Sequence, residues 1–280
     1  MSEERAPTAS KESPPQERTQ SLTDTKRSIA LQATNLSRSF GDVTVLEDVS
    51  LSVGRGELAA VIGPNGSGKS TLMEALAGIR APDRGTVTIT SPTEATAERR
   101  AVGYLPQRPL FRRGFSTRDT LEFYARFVDD TAVDVAVTET LDRVGLSDVA
   151  GRTVGSLSGG MTRLLGLGQA ILGHPSVLVL DEPGSGLDPA MVERLFSILR
   201  SLADDDTGIV VTSHNLEAVE KYADTVVLLD RGEVVLSGTS SDILASTESE
   251  TLVEAFLTTV QGEERESTVR AGQSSEVNNS

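Results

Sequence analysis

A glycine-rich loop at residues 63–70, Gly-Pro-Asn-Gly-Ser-Gly-Lys-Ser, constrains the fold more than any other part of the chain. An unbroken apolar run precedes it at 58–62, as in a buried parallel strand, and a helical pattern follows at 70–76. Glycines let a backbone curl until several N–H groups point inward, and the start of a helix adds positive potential. The strand–loop–helix order therefore predicts a phosphate-binding loop of the pattern G-x-x-x-x-G-K-[ST], the Walker A motif.

The residues of this loop have expected tasks in binding a nucleotide and Mg²⁺. Lys69 would place its ammonium group against the β- and γ-phosphates, and Ser70 would offer its hydroxyl to Mg²⁺. The backbone N–H groups would hold further phosphate oxygens. The predicted nucleotide-binding set is Gly63, Pro64, Asn65, Gly66, Ser67, Gly68, Lys69, Ser70 and Thr71.

A second apolar run, at 177–180, ends in Asp181 and Glu182. A buried strand delivers such residues to the carboxyl edge of the sheet, where open α/β sheets bind their ligands. We expect Asp181 to hold Mg²⁺ through water and Glu182 to polarise an attacking water molecule. A strand that ends in Asp-Glu is common and often structural, but together with the loop it indicates a nucleoside triphosphatase.

Strand and helix patterns alternate along the chain, which predicts a parallel sheet with helices on its faces. The 280 residues show no internal repeat, so we place one such domain at 29–245. Residues 1–28 are expected to be a disordered tail, and 246–280 a helix at 251–260 followed by an acidic disordered tail. One face of that helix is predicted to carry Leu252 and Phe256, together with Val253 and Val260. Strands are expected at 28–35, 43–53, 58–62, 86–90, 177–180, 209–212 and 226–229. Residues 117–172 are expected to be mostly helical.

The composition excludes several kinds of function. Asp plus Glu number 41 and Lys plus Arg 26, a net charge of −15, so we predict no nucleic-acid partner and no basic patch for anionic lipids. The absence of cysteine excludes disulfides and thiolate metal sites, and two histidines are too few for a His-rich one. No apolar run approaches the roughly 18 residues of a membrane span, and the first 20 residues lack a signal-peptide core, so we expect a cytoplasmic chain.

The basic residues are almost all arginine, since lysine occurs only at Lys11, Lys26, Lys69 and Lys221. Many acids, few lysines and many threonines resemble the proteins of salt-accumulating microbes. We interpret the acidity as adaptation to a salty cytosol, with simple solubility as the alternative.

Residues 157–161, Leu-Ser-Gly-Gly-Met, form a second candidate anion site. Ser158 is a good N-cap, and Gly159 and Gly160 expose N–H groups at the start of an apolar helical stretch. One nucleotide needs only one phosphate cradle in its own protomer. A second cradle is useful when it covers the γ-phosphate that another copy holds, so the sequence predicts a dimer.

This ordered set of motifs resembles the nucleotide-binding subunits of ABC transporters over about residues 29–240. The resemblance implies a P-loop NTPase (RecA-like) α/β core with a mainly parallel sheet, an antiparallel β subdomain and an inserted α-helical subdomain at about 104–172. It also implies that two subunits bind two Mg·ATP head to tail, each between one Walker A loop and the opposite signature motif. Hydrolysis would then reopen the dimer and move a membrane partner.

The same resemblance assigns further site residues. Phe40 fits the aromatic residue that stacks on adenine, Gln107 the glutamine that reaches Mg²⁺ and the attacking water, and His214 the switch histidine that contacts the γ-phosphate. The signature motif is assigned to Ser158, Gly159 and Gly160. The loop that crosses the dimer interface (the D-loop) is assigned to residues 185–188, Ser-Gly-Leu-Asp, which end in Asp188. Catalysis is assigned to Lys69, Gln107, Glu182 and His214, and the metal to Ser70, Gln107 and Asp181.

Three features depart from the family pattern. Met161 stands where the signature usually ends in Gln, and Gly184 stands where Thr is common after the catalytic Glu. The signature also continues as Met161-Thr162-Arg163-Leu164, where Gln-Arg is frequent. None of these removes a group assigned to chemistry, and we expect them to affect the packing of the signature helix and the rate.

Six of the ten aromatic residues and five arginines lie between 104 and 127, in an otherwise acidic chain. Arginine and aromatic residues are favoured at interface cores, and in the family this region receives the coupling helix of the membrane subunit. We expect a multi-span permease to dock near Gln107 to Arg118, with Arg112 and Arg113 against an acidic or carbonyl-rich helix. Packing inside the subdomain is the alternative for Phe123, Tyr124 and Phe127.

The resemblance favours the ATP-hydrolysing subunit of an exporter, dimerising with itself or a paralogous subunit at the inner face of the cell membrane. Sugar importers usually add a regulatory β domain of about 100 residues, for which we expect no room. The alternative is a soluble ABC ATPase of the iron–sulfur scaffold type, not coupled to transport.

Overall fold

The computed structural model describes residues 28–90, 101–128 and 132–260, whose strands and helices we number in chain order. The strands are β1 (Ile29–Phe40), β2 (Val43–Gly54), β3 (Leu58–Ile62), β4 (Arg84–Ile89), β5 (Val102–Leu105), β6 (Val177–Leu180), β7 (Gly208–Thr212), β8 (Thr225–Asp230) and β9 (Glu233–Gly238). The helices are α1 (Lys69–Leu76), α2 (Thr117–Ala125), α3 (Val133–Val144), α4 (Gly159–Ile171), α5 (Pro189–Asp204), α6 (Leu216–Tyr222) and α7 (Ser240–Thr247). Residues 252–260 are also helical.

A six-stranded sheet in the order β5-β6-β7-β3-β8-β9 forms the centre of the protein. Its strands pair in parallel except for β9, which pairs antiparallel with β8. Alternate side chains of β3 enter two separate cores, because neighbouring residues of a strand face opposite sides. Leu58 and Ala60 belong to the core under α4 and α5, whereas Ala59 and Val61 belong to a core shared with α1, β1 and β2. Burial on both faces explains why this strand is entirely apolar.

A smaller antiparallel sheet, β2-β1-β4, lies against the second core. Three helices, α2, α3 and α4, are inserted in the chain between β5 and β6 and pack on one another. Leu121, Leu141 and Leu164 contribute to their shared core. Ser116 starts α2 with a capping box, since its hydroxyl accepts from the N–H of Asp119, whose carboxylate accepts from Ser116. The expected fold class, a mainly parallel core with an antiparallel β part and inserted helices, is confirmed.

Several elements differ from the sequence expectation. The patterns do not predict β5, which contains Gly103 and has a neighbour on one side only, or the edge strand β9. Val253 was predicted on the same helix face as Leu252 and Phe256, but it is 43% exposed. The face of 252–260 that packs on the core carries Leu252 and Ala255, at spacing i and i+3, with Phe256 partly buried beside them. The predictions for the two tails concern mainly residues 1–27 and 261–280, which lie outside the described residues. Among the described residues no helix is long and apolar enough to cross a membrane.

Candidate active site

Four neighbouring strands end at one edge of the large sheet, and each carries predicted site residues. In sheet order, β5 leads to Gln107, β6 to Asp181 and Glu182, β7 to His214, and β3 to the loop at 63–70. The carboxyl ends of parallel strands meet at the same edge. The fold therefore joins groups that are far apart in the chain, such as Gln107 and Glu182, which are 75 positions apart.

The phosphate-binding loop is held where only glycine fits. A Cβ on Gly63 would lie 2.1 Å from the carbonyl oxygen of Leu229, and a Cβ on Gly68 would lie 2.7 Å from that of Val45. Gly68 also has a φ of 102°, in a region that favours glycine. The loop is thus enclosed by β8 on one side and β2 on the other, and it ends at the start of α1.

Lys69 is buried at the base of this loop, with only 6% of the residue exposed. Its Nζ donates to the carbonyl oxygens of Gly63 and Pro64, both at 2.8 Å. Burial lowers the pKa of Lys69, while the charges of Glu182 and Asp181 act in the opposite direction. The ammonium group is therefore held inside the loop and within the field of both carboxylates, where it can meet phosphate oxygens.

The side chain of Thr212 joins the two buried acids. Its hydroxyl accepts from the backbone N–H of Glu182 at 2.6 Å and donates to Oδ1 of Asp181 at 2.8 Å. Glu182 has a φ of 45°, a left-handed conformation that is uncommon for a residue with a Cβ. Thr212 was not predicted as a site residue, although a polar residue ending the apolar run at 209–212 was a usable signal.

The carboxylate of Glu182 is held from both sides. Oε1 lies 2.7 Å from Nε2 of His214, and Oε2 accepts from Nε2 of Gln107 at 2.8 Å. Because an ionised carboxylate only accepts hydrogen bonds, Nε2 of His214 carries the proton in this pair. The structure thus brings the four predicted catalytic residues to one edge, with Glu182 at the centre.

The residues at this edge fit a phosphate ligand and Mg²⁺. The hydroxyl of Ser67 is buried and has no hydrogen-bond partner among the described atoms, so it can donate to a phosphate oxygen. Ser70, Gln107 and Asp181 offer the hard oxygen donors that Mg²⁺ prefers. In the described part of the chain no cluster of three or more His, Cys, Asp or Glu could hold a metal. Few protein ligands suit Mg²⁺, which takes most of its ligands from phosphate and water.

Negative potential at this edge also favours a cation. Asp181 is only 3% exposed. Tyr104, on β5, has its pKa raised to about 12, first by burial and then by the charges of Asp181 and Glu74. A divalent cation beside Asp181 would offset this potential.

The residues of the predicted signature form a second group. Ser158 caps α4, since its hydroxyl accepts from the N–H of Met161 at 3.2 Å. A Cβ on Gly160 would lie 3.0 Å from Cε of Met191 and 3.6 Å from Cδ2 of Leu187. Asp188 caps α5 by accepting from the N–H of Met191 at 3.0 Å. The signature turn therefore packs on the predicted D-loop of its own chain, while the phosphate-binding loop packs on β2 and β8.

Phe40 lies at the end of the β1–β2 hairpin and is 42% exposed. The guanidinium carbons of Arg38 and Arg80 lie 5.0 and 5.8 Å from its ring centroid. The ring is thus an exposed aromatic surface flanked by two cations, and it is not packed into a core.

The predicted docking region forms a groove of about 430 Å³, lined on one side by residues from 108–113 and on the other by residues from 154–163. Leu110 is 88% exposed, and the guanidinium of Arg112 lies 5.3 Å from the ring centroid of Phe115. Arg118 instead donates to Asp134 at 2.9 Å within the helical layer. Exposure also separates the neighbouring aromatics. Phe123 and Phe127 are 44% and 74% exposed, whereas Tyr124 packs partly on the core.

Known proteins resemble this chain in sequence and structure. The family model for the ABC transporter matches residues 46–185. The Nod factor export ATP-binding protein I of Bradyrhizobium diazoefficiens is 35% identical over 215 residues, covering 75% of this chain and 70% of that protein. The protein of the same name from Sinorhizobium fredii is 34% identical, and the match covers 78% of this chain and 65% of that protein. This chain therefore spans about two thirds of the length of these two relatives. A solved ATP binding subunit of an ABC transporter has a TM-score of 0.71 at 28% identity, covering 81% of this chain and 98% of its own.

Proposed function

This chain belongs to the ABC transporter family, and we propose that it is the ATP-hydrolysing subunit of an exporter. The observation that carries the proposal is the buried edge where Glu182, held by Gln107 and His214, lies in the field of the Lys69 ammonium group. A carboxylate fixed by two donors beside a phosphate-binding loop is suited to removing a proton from water.

Lys69, the hydroxyl of Ser67 and the N–H groups of the loop hold the phosphates of ATP. Ser70, Gln107 and Asp181 would hold Mg²⁺, which when bound would neutralise charge on the phosphate oxygens. Glu182 accepts a proton from water as the water oxygen bonds to the γ-phosphorus, and the bond to the bridging oxygen breaks to release ADP and phosphate. His214 keeps the Glu182 carboxylate oriented, and Thr212 fixes the backbone N–H of Glu182.

The active form is a dimer of this chain with itself or with a paralogous subunit, arranged head to tail. Support comes from the signature turn, which packs on the D-loop of its own chain. Ser158 in this turn is exposed, so it and the adjacent N–H groups are free to face another molecule. Phe40 would stack on the adenine of the bound ATP, since its ring is exposed. Asp188 would lie at the dimer interface.

Coupling to a membrane subunit distinguishes this function from a soluble ABC ATPase of the iron–sulfur scaffold type. The two relatives described above are export ATP-binding proteins by name, which favours export. The chain would lie in the cytoplasm, bound to the inner face of the membrane through its permease. The experiment is affinity purification from membranes, where a multi-span protein should copurify and stimulate MgATP hydrolysis. Recovery of an active ATPase without any membrane protein would contradict the coupling and leave the hydrolytic site intact.

Reversing the charge of Arg112 and Arg113 together (Arg112→Glu, Arg113→Glu) should uncouple the ATPase from its permease. Both side chains are exposed, Arg113 lines the groove and Arg112 is its neighbour in the chain. Opposite charges across an interface set its specificity. Transport in proteoliposomes should fall by about tenfold or more, with nucleotide binding unchanged. The pair Arg84→Glu and Arg143→Glu, exposed arginines outside the groove, is the matched control. Normal copurification and transport by the first pair would exclude this docking surface.

The acidic surface is adapted to high salt. With a net charge of −15, mutual repulsion of exposed acids destabilises the folded chain unless counterions screen it. The melting temperature should therefore fall when KCl is lowered from about 2 M to about 0.1 M, a range over which the screening length grows from under 3 to about 10 Å. Replacing the exposed Glu139, Glu233 and Glu248 by Gln should reduce this dependence. A melting temperature independent of salt would contradict the adaptation.

A further inference from the structure

We propose that Arg163 is a positioning residue that fixes Gln107 against Glu182, so that the signature helix α4 and the hydrolytic carboxylate move as one unit. Arg163 belongs to the stretch Met161-Thr162-Arg163-Leu164, where the sequence departs from the family pattern. This role rests on the proposed ATPase function. It adds the side chain of Arg163 to the active site, to which no sequence motif assigns it.

A continuous series of hydrogen bonds connects α4 to the switch histidine. Nη1 of Arg163 donates to the carbonyl oxygen of Gln107, whose side chain donates to Oε2 of Glu182 at 2.8 Å. The other carboxylate oxygen of Glu182 lies 2.7 Å from His214. A displacement of Arg163 is therefore transmitted to the backbone of Gln107 and from there to both oxygens of Glu182.

The packing of α4 makes the connection stiff. A Cβ on Gly166 would lie 2.6 Å from Cδ1 of Leu105 and 3.2 Å from Cγ of Pro109, and a Cβ on Gly103 would lie 2.1 Å from the carbonyl oxygen of Ala170. These close approaches hold α4 on both sides of Gln107, at β5 before it and at Pro109 after it. Because close-packed elements do not deform continuously, α4 and the Gln107 segment shift together.

The electrostatic surroundings strengthen the contact. Arg163 is partly buried, and burial lowers its pKa, as does Arg108, while Glu182 and Asp181 act in the opposite direction. A hydrogen bond from a charged donor is stronger than one between neutral groups. Arg163 also faces the field of both carboxylates without pairing directly with either, so its effect on Glu182 passes through Gln107.

This connection has a consequence for the dimer. In the proposed function the signature turn at the start of α4 covers the nucleotide of the opposite subunit. Arg163 lies one turn further along the same helix and bonds to the glutamine that holds Glu182 of its own subunit. Closure on one nucleotide would thereby adjust the carboxylate that acts on the other.

The test is a double-mutant cycle of Arg163→Ala and Gln107→Ala, measured as MgATP hydrolysis. Arg163→Ala should lower kcat about tenfold and change KM for ATP by less than about twofold, because it removes an interaction that orients the base and not one that binds ATP. Arg163→Lys, which keeps one charged donor, should recover part of the rate. In the Gln107→Ala background Arg163→Ala should have little further effect, since the side chain it positions is gone. Equal effects in both backgrounds, or a lower melting temperature that accounts for the loss, would overturn the role.

Hydrogen exchange of the protein without nucleotide provides a second readout. Arg163→Ala should increase exchange at the backbone amides of Gln107 and Arg108, which lie between two prolines, by about threefold or more. The control Arg143→Ala, which removes an exposed arginine paired with Asp205, should not. Unchanged exchange would also contradict the role. If the wild-type chain itself fails to hydrolyse MgATP, the proposed function fails. If it hydrolyses ATP and Arg163→Ala does so equally fast, only the positioning role fails.

Discussion

Replacing Glu182 with Gln is expected to leave ATP binding intact and to lower kcat by about 10²–10⁴-fold, the contribution of a positioned general base. The substitution is close to isosteric, so the left-handed turn at 182 should persist. The glutamine oxygen can accept from one of the two present partners, His214 and Gln107, while its NH2 group, which only donates, faces the other. The proton acceptor is lost. The variant should therefore accumulate as an ATP-bound dimer that does not reopen.

Size-exclusion chromatography in MgATP should show this dimer, and phosphate release should be near background. Glu193→Gln is the matched control, because Glu193 is an exposed acid on α5 that bonds to Lys221 and Tyr222, outside the site. It should retain wild-type kcat and remain in rapid exchange between monomer and dimer. Hydrolysis by Glu182→Gln at the wild-type rate would show that another group removes the proton.

The sequence predicted the parts of the fold that burial determines. The bounds of β3 and β6 match the expected 58–62 and 177–180, because a strand buried on both faces must be apolar throughout. The loop after β3 and the acids after β6 followed from the same reasoning. Each is a local pattern, in which the residues that signal the structure are also the residues that form it.

What the sequence could not supply is the order of the strands in space. The sheet order β5-β6-β7-β3 places Gln107 beside Glu182 and Thr212 beside Asp181, and no local pattern contains those pairs. Thr212 is one of many threonines until β7 is known to lie next to β6. Arg163 is similarly one of several arginines until α4 is packed on β5.

The direction in which a helical side chain points was also hard to predict. Phe123 and Phe127, at i and i+4, are exposed and in contact with each other, with ring centroids 5.3 Å apart. The same spacing describes a buried face equally well. Which face is buried depends on the position of α3 and α4, so tertiary packing decides between an aromatic core and an aromatic surface.

The two predicted anion sites lie on different structural units of the chain. The phosphate-binding loop is fixed to the large sheet between β2 and β8, whereas the signature turn belongs to α4 of the helical layer. A nucleotide held between two subunits would therefore join the sheet of one to the helices of the other. The groove proposed for docking is lined by residues of both 108–113 and 154–163, so a partner bound there would contact the segments that follow Gln107 and precede α4.

Replacing Lys69 with Ala is expected to abolish turnover. Loss of one preorganised donor to a reacting group costs about 10²–10³-fold in kcat, and here the lost donor is a charge that also binds the ground-state phosphates. ATP affinity should fall as well, so kcat/KM should fall more than kcat. The carbonyl groups of Gly63 and Pro64 lose their common donor, and Asp181 and Glu182 lose a nearby positive charge.

Because Lys69 is buried, its loss could act through folding, and three comparisons separate the two effects. Lys221→Ala removes an exposed lysine paired with Glu193 and should keep full activity. Lys69→Arg keeps the charge but replaces a compact ammonium with a planar fork, so it should fold yet remain strongly impaired. A melting temperature near that of the wild type, with loss of binding to a fluorescent ATP analogue, would place the defect in the site. Turnover by Lys69→Ala within about threefold of wild type would instead mean that the loop binds phosphate through its N–H groups without this charge.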